Sequence, residues 1–144
     1  PTACLSTGCI DVCSRDDHPL SGIAGLPDAH PFHRVSPELL RQSLDDFRQT
    51  MADMDMPYEG TLEENRRVLS AIGMFKTTCL VPATMQASPQ SDDENIHLIT
   101  FTGLKDFYPG YLLARLSNAS FSAYNAGVST TMGIAAHFED SACL

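Results

Sequence analysis

Near the start of the chain, the residues best suited to chemistry are Ser6, Thr7 and Gly8. The two hydroxyls donate and accept hydrogen bonds, and a glycine lets the backbone approach a planar ring or a phosphate closely. The same residue types also make ordinary turns. We therefore treat residues 6–8 as candidate cofactor-binding residues, with an ordinary turn as the alternative.

A second candidate group is Lys76 with Thr78, in the run MFKTTCLV at residues 74–81. These residue types suit a pleated strand, in which Lys76 and Thr78 face one side and Thr77 faces the other. A lysine beside a hydroxyl suits a phosphomonoester, and a solvated sheet face explains the pair as readily. A lone lysine is a point charge without a geometric signature, so both interpretations stay open.

Two histidines, His30 and His33, flank Pro31 and Phe32. An imidazole titrates near neutral pH and can act as a general base, although histidines in loops are commonly just solvated. Residues 15–35 mix prolines, glycines and histidines without a sustained period, which predicts an ordered loop. Loops of this kind often carry functional residues.

No metal site is predicted. The acidic runs at residues 16–17 and 92–94 are of a kind that is usually hydrated. Cys4, Cys9 and Cys13 lack the close pairs of zinc or iron–sulfur sites. An odd total of five cysteines, two of them far from the other three, indicates free thiols in a reducing cytoplasm.

Composition predicts a single domain over residues 1–144, since 43% of the residues are hydrophobic and 19% are charged. A net charge of -9 argues against nucleic acid and anionic membrane surfaces as partners. No apolar run approaches the roughly 18 to 20 residues that span a bilayer, so we expect membrane association only through a partner. Because the chain begins at Pro1 in a stretch with no element leading into it, we expect an internal fragment.

The clearest predicted element is an amphipathic helix over residues 37–55. Ser36 can cap it, and Pro37 and Glu38 suit its first turn. Apolar residues then recur at spacings of four and three and form one stripe, which we expect to be core: Leu40, Leu44, Phe47, Met51 and Met54.

Two strands, over residues 66–71 and 74–81, are predicted around a turn at Gly73, and Pro82 closes the second. Further along, residues 96–102 predict a strand, Asp106 can cap a following helix, and residues 120–132 predict an extended run. The inward face of that helix is expected to comprise Tyr108, Leu112, Leu113 and Leu116. Together these elements make a β-α-β unit, right-handed if its strands are parallel. The predicted fold class is α+β, with a mixed sheet flanked by helices.

Four stretches together resemble the B subunit of anaerobic glycerol-3-phosphate dehydrogenase. Residues 6–11 (STGCID) resemble the family pattern S-S-G-S-[LI]-D, and residues 29–32 (AHPF) resemble A-H-P-[YF]. Residues 72–78 (IGMFKTT) resemble L-G-T-[LV]-R-x-T, and residues 102–107 (TGLKDF) resemble S-G-L-x-D-F. Their order and spacing extend the resemblance over most of residues 3–120. Cys9 replaces the usual serine, and this sequence lacks a glycine-rich dinucleotide fingerprint.

The resemblance implies the substrate-side or cap portion of a flavin-binding fold. The family oxidises sn-glycerol 3-phosphate to dihydroxyacetone phosphate and passes electrons toward quinone. In it a catalytic A subunit carries FAD, the B subunit is associated with FMN, and an iron–sulfur C subunit anchors the assembly to the membrane. The resemblance thus implies a cytoplasmic flavoprotein, membrane-associated through a partner subunit.

For individual residues, the resemblance implies that Ser6, Thr7 and Gly8 contact flavin and that Lys76 and Thr78 bind the substrate phosphate. His30 is preferred over His33 as the base because it lies inside a matched motif. Without the fingerprint, the 144-residue chain alone is expected to bind neither FAD nor FMN. Two alternatives remain: a non-catalytic domain that holds the A and C subunits together, and a related flavoprotein with another substrate.

Overall fold

The computed structural model describes the greater part of the chain, namely residues 7–86, 88–89, 94–105, 107–128 and 130–142. Contacts between residues divide the chain into two compact units. The first comprises residues 1–68 and 76–90, and the second comprises residues 69–75 and 91–144. The expected single domain over residues 1–144 stays a prediction, and each unit is described by itself.

The long helix of the first unit forms as its sequence predicts. This helix, α2, spans Pro37–Asp53, and the Ser36 side chain accepts a hydrogen bond of 3.2 Å from the Leu39 amide. Its apolar stripe contributes to the core, whose buried members are Leu44, Leu62, Cys79 and Leu80. The expectation that the stripe continues to Met54 is wrong. Met54 caps the helix end and is 59% exposed.

The expected loop over residues 15–35 contains two short helical segments, so that expectation is corrected. Helix α1 spans Pro19–Ala24, and a 3-10 helix spans Pro31–Arg34. Each begins at a proline, which needs no amide partner in a first turn. Both are too short to display the apolar period by which a helix is recognised in a sequence.

Four short strands lie wholly or mainly in the first unit. Strand β1 spans Tyr58–Gly60, β2 spans Arg66–Leu69, β3 spans Phe75–Thr78 and β4 spans Leu80–Pro82. β1 pairs antiparallel with β4, and β2 pairs with β3. The turn between β2 and β3 holds Gly73 at a φ of 76°, as its position between the predicted strands suggested.

The prediction of one strand over residues 74–81 is wrong, because the run is divided at Cys79. The two parts pair with different partners, and an isolated bridge joins Leu80 to Ile10. Pro82 belongs to β4, where it lies opposite Tyr58 at the strand end. A proline at a strand end leaves the internal ladder intact.

The second unit contains the predicted β-α-β arrangement. Strand β5 (Ile96–Phe101) lies parallel to β6 (Ala119–Tyr124), with α3 (Pro109–Leu113) between them in the chain. Leu112 is buried as expected. Tyr108 caps α3 and is 66% exposed, so its predicted inward position is wrong. The predicted cap, Asp106, lies outside the described residues.

The predicted extended run over residues 120–132 ends early, at Tyr124, and helix α4 spans Thr131–Ala142. The described strands form three two-stranded sheets, where one mixed sheet was expected. The protein is thus an α+β chain of helices and small sheets. Within the described ranges, no helix combines the length and apolar character needed to cross a membrane.

Candidate functional site

Residues 7–11 lie against β3 and β4 in the first unit. The Ile10 amide donates to the Leu80 carbonyl at 2.9 Å, and the Ile10 carbonyl accepts from the Leu80 amide at 3.1 Å. The buried Thr78 hydroxyl also donates to the Ile10 carbonyl, at 3.1 Å. The first motif, through Ile10, therefore meets Thr78 of the motif at residues 72–78, although the two are far apart in the sequence.

Gly8 is held in a conformation that favours glycine, with a φ of 76°. Its carbonyl accepts a hydrogen bond of 2.6 Å from the Tyr58 hydroxyl, and a Cβ added to it would lie 3.3 Å from Cγ of Pro82. Thr7 is exposed, and its Oγ1 accepts from the Cys9 amide at 3.4 Å. Ser6, the third predicted residue of this group, lies outside the described residues.

Lys76 is paired with an acid that was not among the predicted site residues. Its Nζ donates to both carboxylate oxygens of Asp11, the last residue of the first motif. Partial burial raises the pKa of the Asp11 carboxyl, but hydrogen bonding to Lys76 and Thr78 and the charge of Lys76 together lower it by more, to below its ordinary value of 3.8. The charge of Lys76 is therefore balanced within the protein.

His30 lies in a different setting from Thr7, Gly8 and Lys76. Its Nδ1 accepts from the Phe32 amide at 3.3 Å and so caps the 3-10 helix, and the two rings are 5.3 Å apart. His33 Nε2 lies 3.1 Å from the Leu26 carbonyl. In the described part of the chain, His30 makes no hydrogen bond or ring contact with Thr7, Gly8 or Lys76.

Two residues that shape this region, Tyr58 and Gly60, were not predicted from the sequence. Tyr58 packs edge to face on Phe47 of α2, with ring centroids 5.0 Å apart. Gly60 has a φ of 119°, and a Cβ there would lie 2.2 Å from the Cys79 carbonyl oxygen. Gly60 is the last residue of the three-residue strand β1, which is too short to show alternation, so only the glycine itself offered a signal.

The described cysteines, Cys9, Cys13 and Cys79, are free thiols. Cys79 is buried and its Sγ donates to the Thr61 carbonyl at 3.1 Å. Burial, with smaller contributions from the charges of Glu63 and Asp11, raises its pKa to about 11, so it is an unreactive thiol at neutral pH. Among the described residues, no cluster of three or more histidine, cysteine and acidic side chains could hold a metal.

A cavity of about 160 Å³ opens between α2 and residues 60–63. Its charged side chains are paired with one another. Arg41 Nη2 lies 2.8 Å from Glu63 Oε1, and Arg48 Nη1 lies 3.6 Å from Asp45 Oδ1. Two cations balanced by two anions give this cavity little selectivity for a charged ligand.

Curated relatives of this chain share the name of one enzyme subunit. A probable anaerobic glycerol-3-phosphate dehydrogenase B subunit of Halobacterium salinarum is 33% identical over 103 residues, which cover 70% of this chain and 23% of the relative. Proteins named as the same subunit in Vibrio vulnificus and Actinobacillus succinogenes are 30% and 25% identical, over 77% and 78% of this chain and 27% and 29% of their own lengths.

The chain thus spans about a quarter of the length of the curated relatives it matches. No family model and no solved structure matches it. The distant relatives, 25–33% identical to this chain, support the family that the four motifs indicate, namely the B subunit of anaerobic glycerol-3-phosphate dehydrogenase.

Proposed function

We propose that this chain is part of the B subunit of an anaerobic glycerol-3-phosphate dehydrogenase. In this proposal, residues 7–11 contribute to a flavin site and β3 contributes to the substrate side of that site. The observation that carries the proposal is the meeting of two motifs. Ile10 bridges to Leu80, and Asp11 pairs with Lys76, so the stretch expected to contact flavin adjoins the stretch expected to bind phosphate.

Residues 7 and 8, which we call the candidate cofactor loop, have the chemical character needed to contact a flavin, either FMN or FAD. Thr7 is exposed and can donate a hydrogen bond, and Gly8 has no side chain to obstruct a close approach to its backbone. A bound flavin would accept the hydride in the oxidation of sn-glycerol 3-phosphate to dihydroxyacetone phosphate. The part of Thr7 and Gly8 is to bind and orient it.

Lys76 would bind the substrate phosphate while remaining paired with Asp11. An ammonium carries three donors, and two of them meet the carboxylate oxygens of Asp11, which leaves one for a phosphate oxygen. Asp11 would thus orient Lys76, and Thr78 would hold the Ile10 carbonyl beside it. His30, inside the A-H-P-F motif, is proposed as the base that takes the alcohol proton.

The whole assembly would also need its partners. A catalytic A subunit and an iron–sulfur C subunit would complete the path of electrons toward quinone, with the complex facing the cytoplasm and held at the membrane through a partner.

The proposal is tested with a polypeptide that spans the full length of the relatives, which we call the complete subunit. Separated from its partners it should itself retain flavin, and sn-glycerol 3-phosphate should bleach that flavin in the assembled complex. A complex whose flavin responds to a dicarboxylate instead would assign another substrate.

A non-catalytic role in holding the subunits together is the second candidate. Large apolar side chains are exposed in the second unit, including Met132 (81%), Ile99 (67%) and Tyr108. Exposed apolar side chains that form a contiguous patch mark protein interfaces. A Met132→Asp and Ile99→Asp variant that no longer assembles, with flavin content retained, would favour this role.

A further inference from the structure

We propose that Tyr58 is the positioning residue of the candidate cofactor loop, and that its hydroxyl fixes the Gly8 carbonyl and thereby the backbone next to Thr7. This inference rests on the proposed flavin site and names the residue that organises it. Tyr58 is outside all four motifs and was not a predicted site residue.

The hydrogen bond between Tyr58 and Gly8 connects residues 50 positions apart in the chain. At 2.6 Å it is at the short end of the range for a hydroxyl donor. Gly8 has a positive φ that few other residues adopt, and the Pro82 ring lies beside it. The loop backbone is therefore held on one side by a donor and confined on another by a ring.

The Tyr58 ring is itself fixed, so its hydroxyl can act as a rigid support. Its edge-to-face contact with Phe47 ties it to α2, and its backbone lies opposite Pro82 in the β1–β4 pair. The same two strands thus supply both the donor to Gly8 and the ring beside it. This coupling fixes the peptide that follows Gly8, whose amide bonds to the Thr7 side chain.

The direct test is Tyr58→Phe in the complete subunit, which deletes the hydroxyl and keeps the ring on Phe47. We expect flavin to bind about two- to tenfold more weakly, the range for one neutral hydrogen bond. Hydrogen exchange of the backbone amides should quicken at residues 7–9. Tyr124→Phe, which deletes an exposed hydroxyl in the second unit, is the matched control and should change neither quantity.

Phe47→Leu serves as a second control, since it weakens the ring packing and leaves the Tyr58 hydroxyl in place. Faster exchange confined to residues 7–9 in Tyr58→Phe, with weaker flavin binding, supports the inference. Unaltered flavin affinity overturns it, and so does faster exchange spread over the first unit as in Phe47→Leu. If no flavin binds to the unmodified complete subunit, the proposed function fails instead, so the two failures are distinguishable.

Discussion

The ammonium of Lys76 is bound by both carboxylate oxygens of Asp11, a residue 65 positions earlier in the chain. The pair joins β3 to the segment that contains Gly8. Because the two side chains are partly exposed, solvent weakens their attraction. The main consequence of the ion pair is therefore geometric. It holds one cation at a defined place beside the candidate loop.

Replacing Lys76 by methionine in the complete subunit should weaken substrate binding. A charge-assisted contact to phosphate contributes about 1.5 to 3 kcal/mol, so the KM for sn-glycerol 3-phosphate should rise roughly tenfold to a hundredfold. Flavin content should not change. Lys105→Met, at an exposed lysine outside the site, is the control. Steady-state kinetics measure the KM, and an unaltered value would mean that Lys76 forms only a structural ion pair with Asp11. Loss of flavin would mean that Lys76 belongs to the cofactor site.

The ion pair also predicts a pH dependence. The pKa of Asp11 in the folded protein is lowered from 3.8, so its carboxylate stabilises the fold in full above that value. This contribution is lost as the pH falls from there through the lower, folded pKa. The difference in unfolding free energy between the unmodified chain and Asp11→Asn should therefore shrink below pH 4. Urea unfolding at several pH values measures it, and a constant difference would contradict the assignment.

Leu44→Ala and Phe47→Ala should each lower the unfolding free energy by about 2 to 5 kcal/mol, as large-to-small changes in a core do. Both side chains belong to the α2 stripe that packs in the core. Met54→Ala, at the exposed helix end, should stay within about 0.5 kcal/mol. Thermal or denaturant unfolding compares the three variants. Equal losses of unfolding free energy in Met54→Ala and Leu44→Ala would mean that the apolar stripe continues past the end of α2.

Gly60→Ala should be among the most disruptive single changes in the first unit. The added Cβ would overlap the Cys79 carbonyl oxygen, and the φ of 119° disfavours any side chain. We expect a loss of more than about 3 kcal/mol or a failure to fold. Gly25→Ala is the matched control, because its φ is -85° and its added Cβ would meet only ordinary contacts. A stable, soluble Gly60→Ala chain would contradict the close approach of β1 to Cys79.

Local signals in the sequence were enough to predict several elements. The α2 helix is confirmed because Ser36, Pro37 and the apolar stripe act within the helix itself. The β-α-β unit of β5, α3 and β6 is also confirmed, since composition marks each element, and the structure shows its two strands to be parallel. The single strand over residues 74–81 is wrong, because Ile10 and β1 decide its pairing and no local signal reports partners so distant.

The candidate site was predictable only in part, and for the same reason. Residues 7–8 and Lys76 could be proposed from their motifs, but the acid that pairs with Lys76 depends on a contact across the fold. Tyr58 acts through one hydroxyl aimed at one carbonyl, which leaves no periodic pattern in the sequence. The roles of Ser6, Thr7, Gly8, His30, Lys76 and Thr78 in binding and catalysis stay predictions.

Flavin fluorescence titration of the complete subunit, alongside the 144-residue chain, tests the central claim most directly. The claim is that residues 7–11 complete a flavin site whose phosphate-cradling turn is not in this sequence. We expect the complete subunit to quench FMN or FAD fluorescence stoichiometrically and the 144-residue chain to quench neither. Tight, stoichiometric quenching by the chain alone, or no quenching by the complete subunit, would contradict it.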